Sequence, residues 1–93
     1  MLSILWKSYI YDEALADIKF WKKSENKTVQ KKIEQLIVDI LEHPYTYTGI
    51  GKPEPLKYDL SNLWSRRING EHRIIYQILN NALHIHSLRG HYK

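Results

Sequence analysis

Residues 63–89 read LWSRRINGEHRIIYQILNNALHIHSLR, and they contain the main strand signals of the chain. It contains three runs with the composition of strands, at Leu63–Ile68, His72–Leu79 and Leu83–Leu88. The connectors NGE and NN are short and contain residues that tolerate a positive φ. The stretch therefore predicts two consecutive antiparallel hairpins.

The N-terminal part of the chain changes from a strand pattern to a helix pattern. Apolar residues alternate in Leu2–Trp6, which predicts a short strand. A first helix is predicted from Tyr11 onward, with Ser8 or Asp12 as its N-cap. Its core-facing stripe is predicted to consist of Ala14, Leu15, Ile18 and Trp21.

A second helix is predicted after the polar turn SENKT, with Asn26 or Thr28 as its N-cap. Pro44 cannot continue a helix and marks its end. The predicted buried face consists of Val29, Ile33, Leu36, Ile37, Ile40 and Leu41. Because the turn between the helices is short, we expect them to be antiparallel.

Together these segments predict an α+β fold in a single domain that spans residues 1–93. Leu56–Leu60 is a further candidate strand, and the segment TYTGIGKPEP before it is predicted to be a loop. We expect two N-terminal antiparallel helices packed on one face of an antiparallel sheet. The opposite face of the sheet is then left exposed.

Composition narrows the compartment and the kind of partner. Fourteen Lys and Arg against ten Asp and Glu give a net charge of +4, which suits a polyanion or an acidic protein, although ordinary solubility charge explains it equally well. The absence of cysteine excludes disulfides and thiolate zinc sites. No run approaches the roughly 20 apolar residues of a membrane helix, so we expect a cytoplasmic protein without a membrane partner.

Strand alternation predicts which side chains share a face of the sheet. Arg73, Ile75 and Gln77 are predicted to lie opposite Ile74, Tyr76 and Ile78. On the last strand, the side chains predicted to share one side are His84, His86 and Leu88. Basic residues that could hold a nucleic-acid backbone beside this sheet are Lys52, Lys57, Arg66, Arg67 and Arg89. For any single one of them, a solvated outer face is an equally good interpretation.

Several residues have the chemical types that metal-free RNA cleavage requires. The 2′-hydroxyl must lose a proton, the 5′-oxygen must gain one, and the phosphorane charge must be stabilised. A glutamate, a histidine and an arginine can do this, and the chain offers Glu54, Arg73 and the C-terminal RGHY. On the residues alone the catalytic interpretation is the weaker one, because an isolated glutamate such as Glu54 is more often a surface acid and a terminal His-Tyr pair such as His91 and Tyr92 is more often a plain tail.

Metal and nucleophile sites are not indicated. His84, His86 and His91 lie close together in sequence, but no cysteine or nearby carboxylate completes a ligand set. We therefore expect no metal and no cofactor. Ser61 and Ser65 lie outside any nucleophile-elbow pattern.

Three blocks, GKPEPLK at 51–57, LWSRRINGEHRIIY at 63–76 and RGHY at 89–92, resemble the signature of the YoeB (Txe) toxins of the RelE-like superfamily. The resemblance is collinear over nearly the whole chain. It implies a microbial-ribonuclease-like fold with a twisted sheet. It also implies a ribosome-dependent endoribonuclease that cuts translated mRNA at the A site and leaves a 2′,3′-cyclic phosphate.

The resemblance also assigns roles to residues. By position in the motifs, Glu54 would be the general base, Arg73 the phosphate-binding residue, and His91 the general acid beside Tyr92. The residues that would contact mRNA or ribosomal RNA are Lys52, Lys57, Arg66 and Arg67. Two departures from the family pattern are the loop TYTGIGKPEP and the extra Lys93 at the end.

The implied partners are the ribosome, mRNA and a YefM/Axe-like antitoxin, with operator DNA contacted only through the antitoxin complex. A homodimer could also form, as in other YoeB-like toxins. Two alternatives to catalysis stay open: a basic module that blocks translation without cutting, and a corepressor that acts mainly through its antitoxin. Glu54 favours catalysis, because a carboxylate that faces RNA is repulsive unless the chemistry needs it.

Overall fold

The computed structural model describes residues 7–44, 48–56 and 62–90 of the chain. The elements in chain order are β1 (Lys7–Ile10), α1 (Asp12–Ser24), α2 (Lys27–Glu42), β2 (Glu54–Pro55), β3 (Trp64–Arg67), β4 (Arg73–Leu79) and β5 (Ala82–Gly90). The five strands form one sheet in the order β1-β5-β4-β3-β2. The predicted α+β class with two N-terminal helices is thus confirmed. None of the helices in the described ranges has the length and apolar character needed to cross a membrane.

The sheet is mixed, because β1 pairs with β5 in parallel while the other neighbours are antiparallel. The prediction of an antiparallel sheet is wrong for this one pair. A hairpin turn imposes antiparallel order only on the strands that it joins, and β1 has no hairpin to its neighbour. Its direction is set by tertiary packing. The predicted strand at Leu2–Trp6 lies outside the described residues.

Both predicted hairpins are confirmed. Asn80 and Asn81 have φ angles of 51° and 59°, the left-handed pair that a two-residue type I′ turn requires. They join Leu79 to its partner Ala82. In the other hairpin, the Asn69 side-chain oxygen accepts hydrogen bonds from the backbone N–H groups of Glu71 and His72. Each connector therefore contains the asparagine chemistry that its turn needs.

The helix starts follow the predictions only in part. The side chain of Asn26 accepts a hydrogen bond from the backbone N–H of Val29 at 3.1 Å, which confirms it as the cap of α2. For α1 the N-cap is Tyr11, which makes no side-chain capping bond, so neither Ser8 nor Asp12 is the cap. The acidic residues in the first turn of α1, Asp12 and Glu13, instead interact favourably with the positive end of the helix dipole.

The hydrophobic core lies between the helices and one face of the sheet. The helices contribute Ala14, Trp21, Val29, Leu36, Ile40 and Leu41, and the sheet contributes Ile74, Tyr76, Ile78, Leu83, Ile85 and Leu88. The stripe predicted for α2 is confirmed by these residues and by the half-buried Ile33 and Ile37. Leu15 departs from the stripe predicted for α1, because it is exposed.

Polar contacts from α1 fix the end of β5. The carboxylate of Asp17 is buried and accepts hydrogen bonds from the backbone N–H groups of Leu88 and Arg89, at 2.8 and 3.1 Å. The indole N–H of Trp21 donates to the carbonyl of Leu88 at 2.9 Å. These bonds satisfy backbone groups that the neighbouring strand does not reach, so α1 holds the strand end in place.

An irregularity in the β4–β5 ladder changes which side chains face the core. The register shifts between Arg73 and Ile75 and again between Ile75 and Tyr76. Ser87 and Leu88 are consequently both buried, although simple alternation would expose one of them. Leu88 therefore belongs to the core, and the prediction that it shares a side with His84 and His86 is wrong.

Candidate active site

The segment that leads into the site is fixed by Gly51. This residue has a φ of +81°, and a Cβ atom there would lie 2.7 Å from the Leu36 side chain and 2.9 Å from the Arg67 carbonyl. Both the conformation and the close approach therefore require glycine. The Gly51 carbonyl accepts a hydrogen bond from the Arg67 N–H at 2.6 Å, which attaches the segment to β3.

Glu54 lies in a strand and not in the loop that was predicted. Glu54 and Pro55 form β2 at the edge of the sheet, where Glu54 pairs with Ser65 and Pro55 with Trp64. An edge strand tolerates proline because a missing N–H on the outer side breaks no ladder bond. The short pairing fixes the backbone of Glu54 against β3. Of the predicted strand Leu56–Leu60, residues 57–60 lie outside the described ranges.

The sheet brings Glu54 and Arg73 together, as expected for the two residues of one site. A guanidinium nitrogen of Arg73 (Nη1) lies 3.0 Å from the Glu54 carboxylate and 3.4 Å from the Ser65 hydroxyl. The exposed fraction is 47% for the Glu54 side chain and 18% for that of Arg73. A cation and a carboxylate thus meet at an open surface, where a substrate phosphate could take part.

The predicted basic residues around this pair are placed differently from one another. Arg67 is exposed and pairs with Arg73 across the β3–β4 ladder, and Lys52 is exposed in the segment that leads to Glu54. The guanidinium of Arg89 lies over the Phe20 ring of α1, 3.5 Å from its centroid. Lys57, His91 and Tyr92 lie outside the described residues. Gly90, which precedes His91 in the chain, pairs with Arg73.

Arg66 requires a correction, because its side chain is fully buried and cannot contact RNA. Its guanidinium is ion-paired with Asp39 of α2 and donates to the carbonyls of His43 and Ile50 at 2.9 and 3.3 Å. It also donates to the Tyr76 hydroxyl at 3.1 Å, and burial raises the pKa of that hydroxyl. The sequence pattern predicted that Arg66 lies on a strand. Its inward direction is apparent only from the ion pair with Asp39 of α2.

Arg66 is therefore a structural centre that ties three parts of the chain together. It joins β3 to the end of α2 and to the segment that precedes Gly51. Gly49 belongs to the same centre, since a Cβ atom there would lie 2.6 Å from the Asp39 carboxylate. In the sequence, the only signal for this centre is the pair of glycines in GIG. The packing explains why both positions require glycine, because a Cβ atom at either one would be too close to a neighbouring atom.

The sequence predicted no metal site. In the described ranges, one group of three side chains has metal-ligand spacing: Asp39, Glu42 and His43, at the end of α2. Asp39 of this group is already ion-paired with Arg66. His84 and His86 contact Tyr11 and Gln77 instead.

Comparison with known proteins identifies the family. Residues 10–92 match the family model of the YoeB-like toxin of bacterial type II toxin–antitoxin systems. Toxin YoeB of Escherichia coli strain K12 is 40% identical over 91 residues, which cover 98% of this chain and 100% of that toxin.

Solved structures agree in fold over nearly the whole chain. A YoeB dimer from Staphylococcus aureus superimposes with a TM-score of 0.85 at 36% identity, covering 95% of this chain and 99% of that one. A heterotetrameric YoeB–YefM toxin–antitoxin complex from the same organism gives a TM-score of 0.82 at 37% identity, with coverage of 94% and 98%. This chain therefore belongs to the YoeB-like toxins of bacterial type II toxin–antitoxin systems.

Proposed function

We propose that this toxin is a ribosome-dependent endoribonuclease that cuts translated mRNA at the A site and so inhibits translation. The observation that carries the proposal is the Glu54–Arg73 pair on the open side of the sheet. A base and a phosphate ligand at one accessible point are two of the three groups that cleavage through the 2′-hydroxyl requires.

In this mechanism Glu54 removes the proton of the 2′-hydroxyl, and the 2′-oxygen attacks the adjacent phosphorus. Arg73 moves from the carboxylate to the phosphate and stabilises the charge of the phosphorane. The bond from phosphorus to the 5′-oxygen breaks, and His91 donates a proton to that oxygen. The products are a 2′,3′-cyclic phosphate and a 5′-hydroxyl, so no water and no cofactor are consumed.

The RGHY motif and its place in the chain support the proposed acid. Gly90 is the ladder partner of Arg73, and His91 is the next residue in the chain. We assign Tyr92 as the residue that orients His91 and the substrate. Lys52, Lys57, Arg67 and Arg89 are proposed as contacts to mRNA or ribosomal RNA.

We also propose a YefM/Axe-like antitoxin as the neutralising partner, supported by the YoeB–YefM complex of the staphylococcal relative. A toxin with a net charge of +4 suits an acidic antitoxin segment that folds on binding. Operator DNA would be contacted only through that complex. A homodimer is a further proposed assembly, since a relative is described as a YoeB dimer.

Cleavage of a defined mRNA on programmed ribosomes tests the proposal, with free mRNA as the parallel sample. We expect cutting only with ribosomes and a cyclic phosphate at the new 3′ end. Glu54→Gln and His91→Ala should each slow cleavage by about 10²–10⁴-fold, the usual contribution of a general acid or base. Glu34→Gln removes an exposed carboxylate from α2 and should cleave at the normal rate. Arrested translation with intact mRNA would contradict the proposal and indicate a ribosome blocker.

A further inference from the structure

A row of aromatic rings lies on the sheet near its β1 edge, and the proposed reaction does not use it. Tyr9 of β1 stacks on His84 of β5, with ring centroids 4.8 Å apart and an interplanar angle of 25°. Tyr11 contacts both histidines of β5, with its ring centroid 5.8 Å from that of His84 and 4.1 Å from that of His86. We call Tyr9, Tyr11, His84 and His86 the aromatic row.

Hydrogen bonds orient three of the four rings of the aromatic row, and the fourth, Tyr9, stacks on one of these three. The Tyr11 hydroxyl lies 3.0 Å from Nδ1 of His84, and Nε2 of His86 lies 2.7 Å from the side-chain oxygen of Gln77. Burial, followed by the nearby His84, lowers the pKa of His86, so this ring is neutral at pH 7. A preorganised surface loses little side-chain entropy when a ligand binds to it.

The aromatic row and the Glu54–Arg73 pair occupy the same face of the sheet. Tyr9 is the ladder partner of His84, and His84 is the partner of Gln77. Arg73, Ile75 and Gln77 alternate regularly with the core residues of β4, so their side chains leave the sheet on one side. Gln77 lies four residue steps along the strand from Arg73, a distance of about 13 Å. A short single-stranded segment held at Arg73 can therefore extend to the row.

The chemistry at the row suits a base better than a phosphate. Tyr9 and Tyr11 are 47% and 40% exposed, so each ring offers surface for stacking. An open hollow of about 450 Å³ lies beside them, lined by Tyr9, Ile10, Tyr11, Asp12 and His84. The Asp12 carboxylate at its rim repels a phosphate but can accept hydrogen bonds from the amino groups of adenine, cytosine or guanine.

We propose that the aromatic row is a base-stacking subsite for the single-stranded RNA that lies across the sheet next to the scissile phosphate. Aromatic side chains on an exposed sheet face are a general means of binding unpaired bases. The subsite binds one nucleobase against Tyr9 while Arg73 holds the backbone. This inference shares its RNA substrate with the proposed function, but it requires binding alone and no cleavage.

The test measures binding of a short 2′-O-methyl RNA, whose blocked 2′-oxygens prevent cleavage, to the full-length protein at low salt. A series of such oligomers carries one abasic position that moves along the strand, so each oligomer lacks a single base and keeps its backbone. With the wild-type protein, one position should weaken binding by about fivefold or more when its base is removed, which is the lower range for stacking on an aromatic side chain.

Variants at Tyr9 assign that loss to the ring. In Tyr9→Ala, the intact oligomer should bind about fivefold less tightly, and the abasic position should have no further effect. Tyr9→Phe keeps the ring and should behave as the wild type. Val38→Ala removes an exposed apolar side chain from α2 and serves as the matched control. Circular dichroism of each variant verifies that the fold is intact.

The outcomes separate this inference from the proposed function. An abasic effect that disappears in Tyr9→Ala supports the subsite, even if ribosome assays find no cleavage. The proposal is overturned if no abasic position matters, if the protein does not bind the oligomer, or if Tyr9→Ala leaves the abasic effect unchanged. Loss of affinity in Tyr9→Ala for an acidic antitoxin segment, with unchanged RNA binding, would also overturn it and assign the row to protein recognition.

Discussion

Among the described residues, two arginine–carboxylate pairs have their arginines on the neighbouring strands β3 and β4, and the two pairs differ mainly in burial. Arg66 of β3 is fully buried, pairs with Asp39 and donates to two backbone carbonyls and a tyrosine hydroxyl. Arg73 of β4 pairs with Glu54 at a surface where almost half of the carboxylate side chain is exposed. The same two chemical groups therefore have different roles in the two pairs. The Arg66–Asp39 pair stabilises the fold, and the Arg73–Glu54 pair is accessible to a substrate.

Burial explains this division in physical terms. An exposed ion pair adds little to stability, because water solvates both partners well when they separate. A buried charge has no such alternative, so removing its partner leaves an unsolvated group in the interior. The difference predicts opposite responses to matched substitutions. Variants of the buried centre should lose stability first, whereas variants of the open pair should lose activity first.

Arg66→Met should give the largest loss of stability. Methionine fills much of the space but removes every donor, so Asp39, the Tyr76 hydroxyl and two carbonyls lose their partner. We expect the free energy of unfolding, measured in urea, to fall by about 3 kcal/mol. The double variant Arg66→Met with Asp39→Leu should recover part of this loss, because no carboxylate is then left without its partner. Equal stability of Arg66→Met and wild type would contradict the structural role.

Gly51→Ala should have a smaller effect that connects the two pairs. A side chain there is forced into a positive φ and against Leu36 and the Arg67 carbonyl, which should destabilise the protein by about 2 kcal/mol. Because Gly51 lies three residues before Glu54, we also expect slower cleavage per folded molecule. Gly70→Ala is the control, since a Cβ atom there meets no atom within 4 Å. If both alanine variants behave alike, the close approach at Gly51 does not matter.

The smallest expected effect is the contribution of His86, on the open face of the sheet, to the pH dependence of stability. Burial and the neighbouring His84 lower the pKa of His86, and the Glu13 carboxylate opposes this shift. The unfolded chain therefore binds the proton more readily, so the stability due to His86 is present above about pH 6.5 and declines as the pH falls below it. Urea midpoints at pH 7.5 and 5.5 should differ less in His86→Gln than in wild type. An unchanged difference would exclude His86 as the cause.

Local sequence signals predicted the hairpins and the second helix well. The NN turn needs two residues that tolerate positive φ, and the cap at Asn26 needs one side-chain oxygen, so both depend on a few adjacent residues. Features that depend on distant partners were missed. The parallel direction of β1, the shifted register that buries Leu88, and the inward side chain of Arg66 all depend on contacts with residues far away in sequence.

The candidate site was predictable for a different reason. The family motif assigned Glu54 and Arg73 to one site as base and phosphate-binding residue, and the strand pairing brings them within hydrogen-bond distance of each other. Alternation puts the adjacent residues Arg66 and Arg67 on opposite faces of the strand, but it does not show which of the two is buried, and only the structure shows that Arg66 is. The aromatic row was not predicted either. Tyr9 and His84 are 75 positions apart in the chain, and they meet only through the parallel pairing of β1 and β5.

The most direct measurement is single-turnover mRNA cleavage on programmed ribosomes by Arg73→Met, together with its urea unfolding curve. Loss of a group that stabilises the phosphorane should slow cleavage by about 10²–10³-fold. Loss of an ion pair at an open surface should change the unfolding free energy by no more than about 1 kcal/mol. A normal cleavage rate, or a rate that falls only as far as the folded fraction does, would contradict the assignment of the open pair to catalysis.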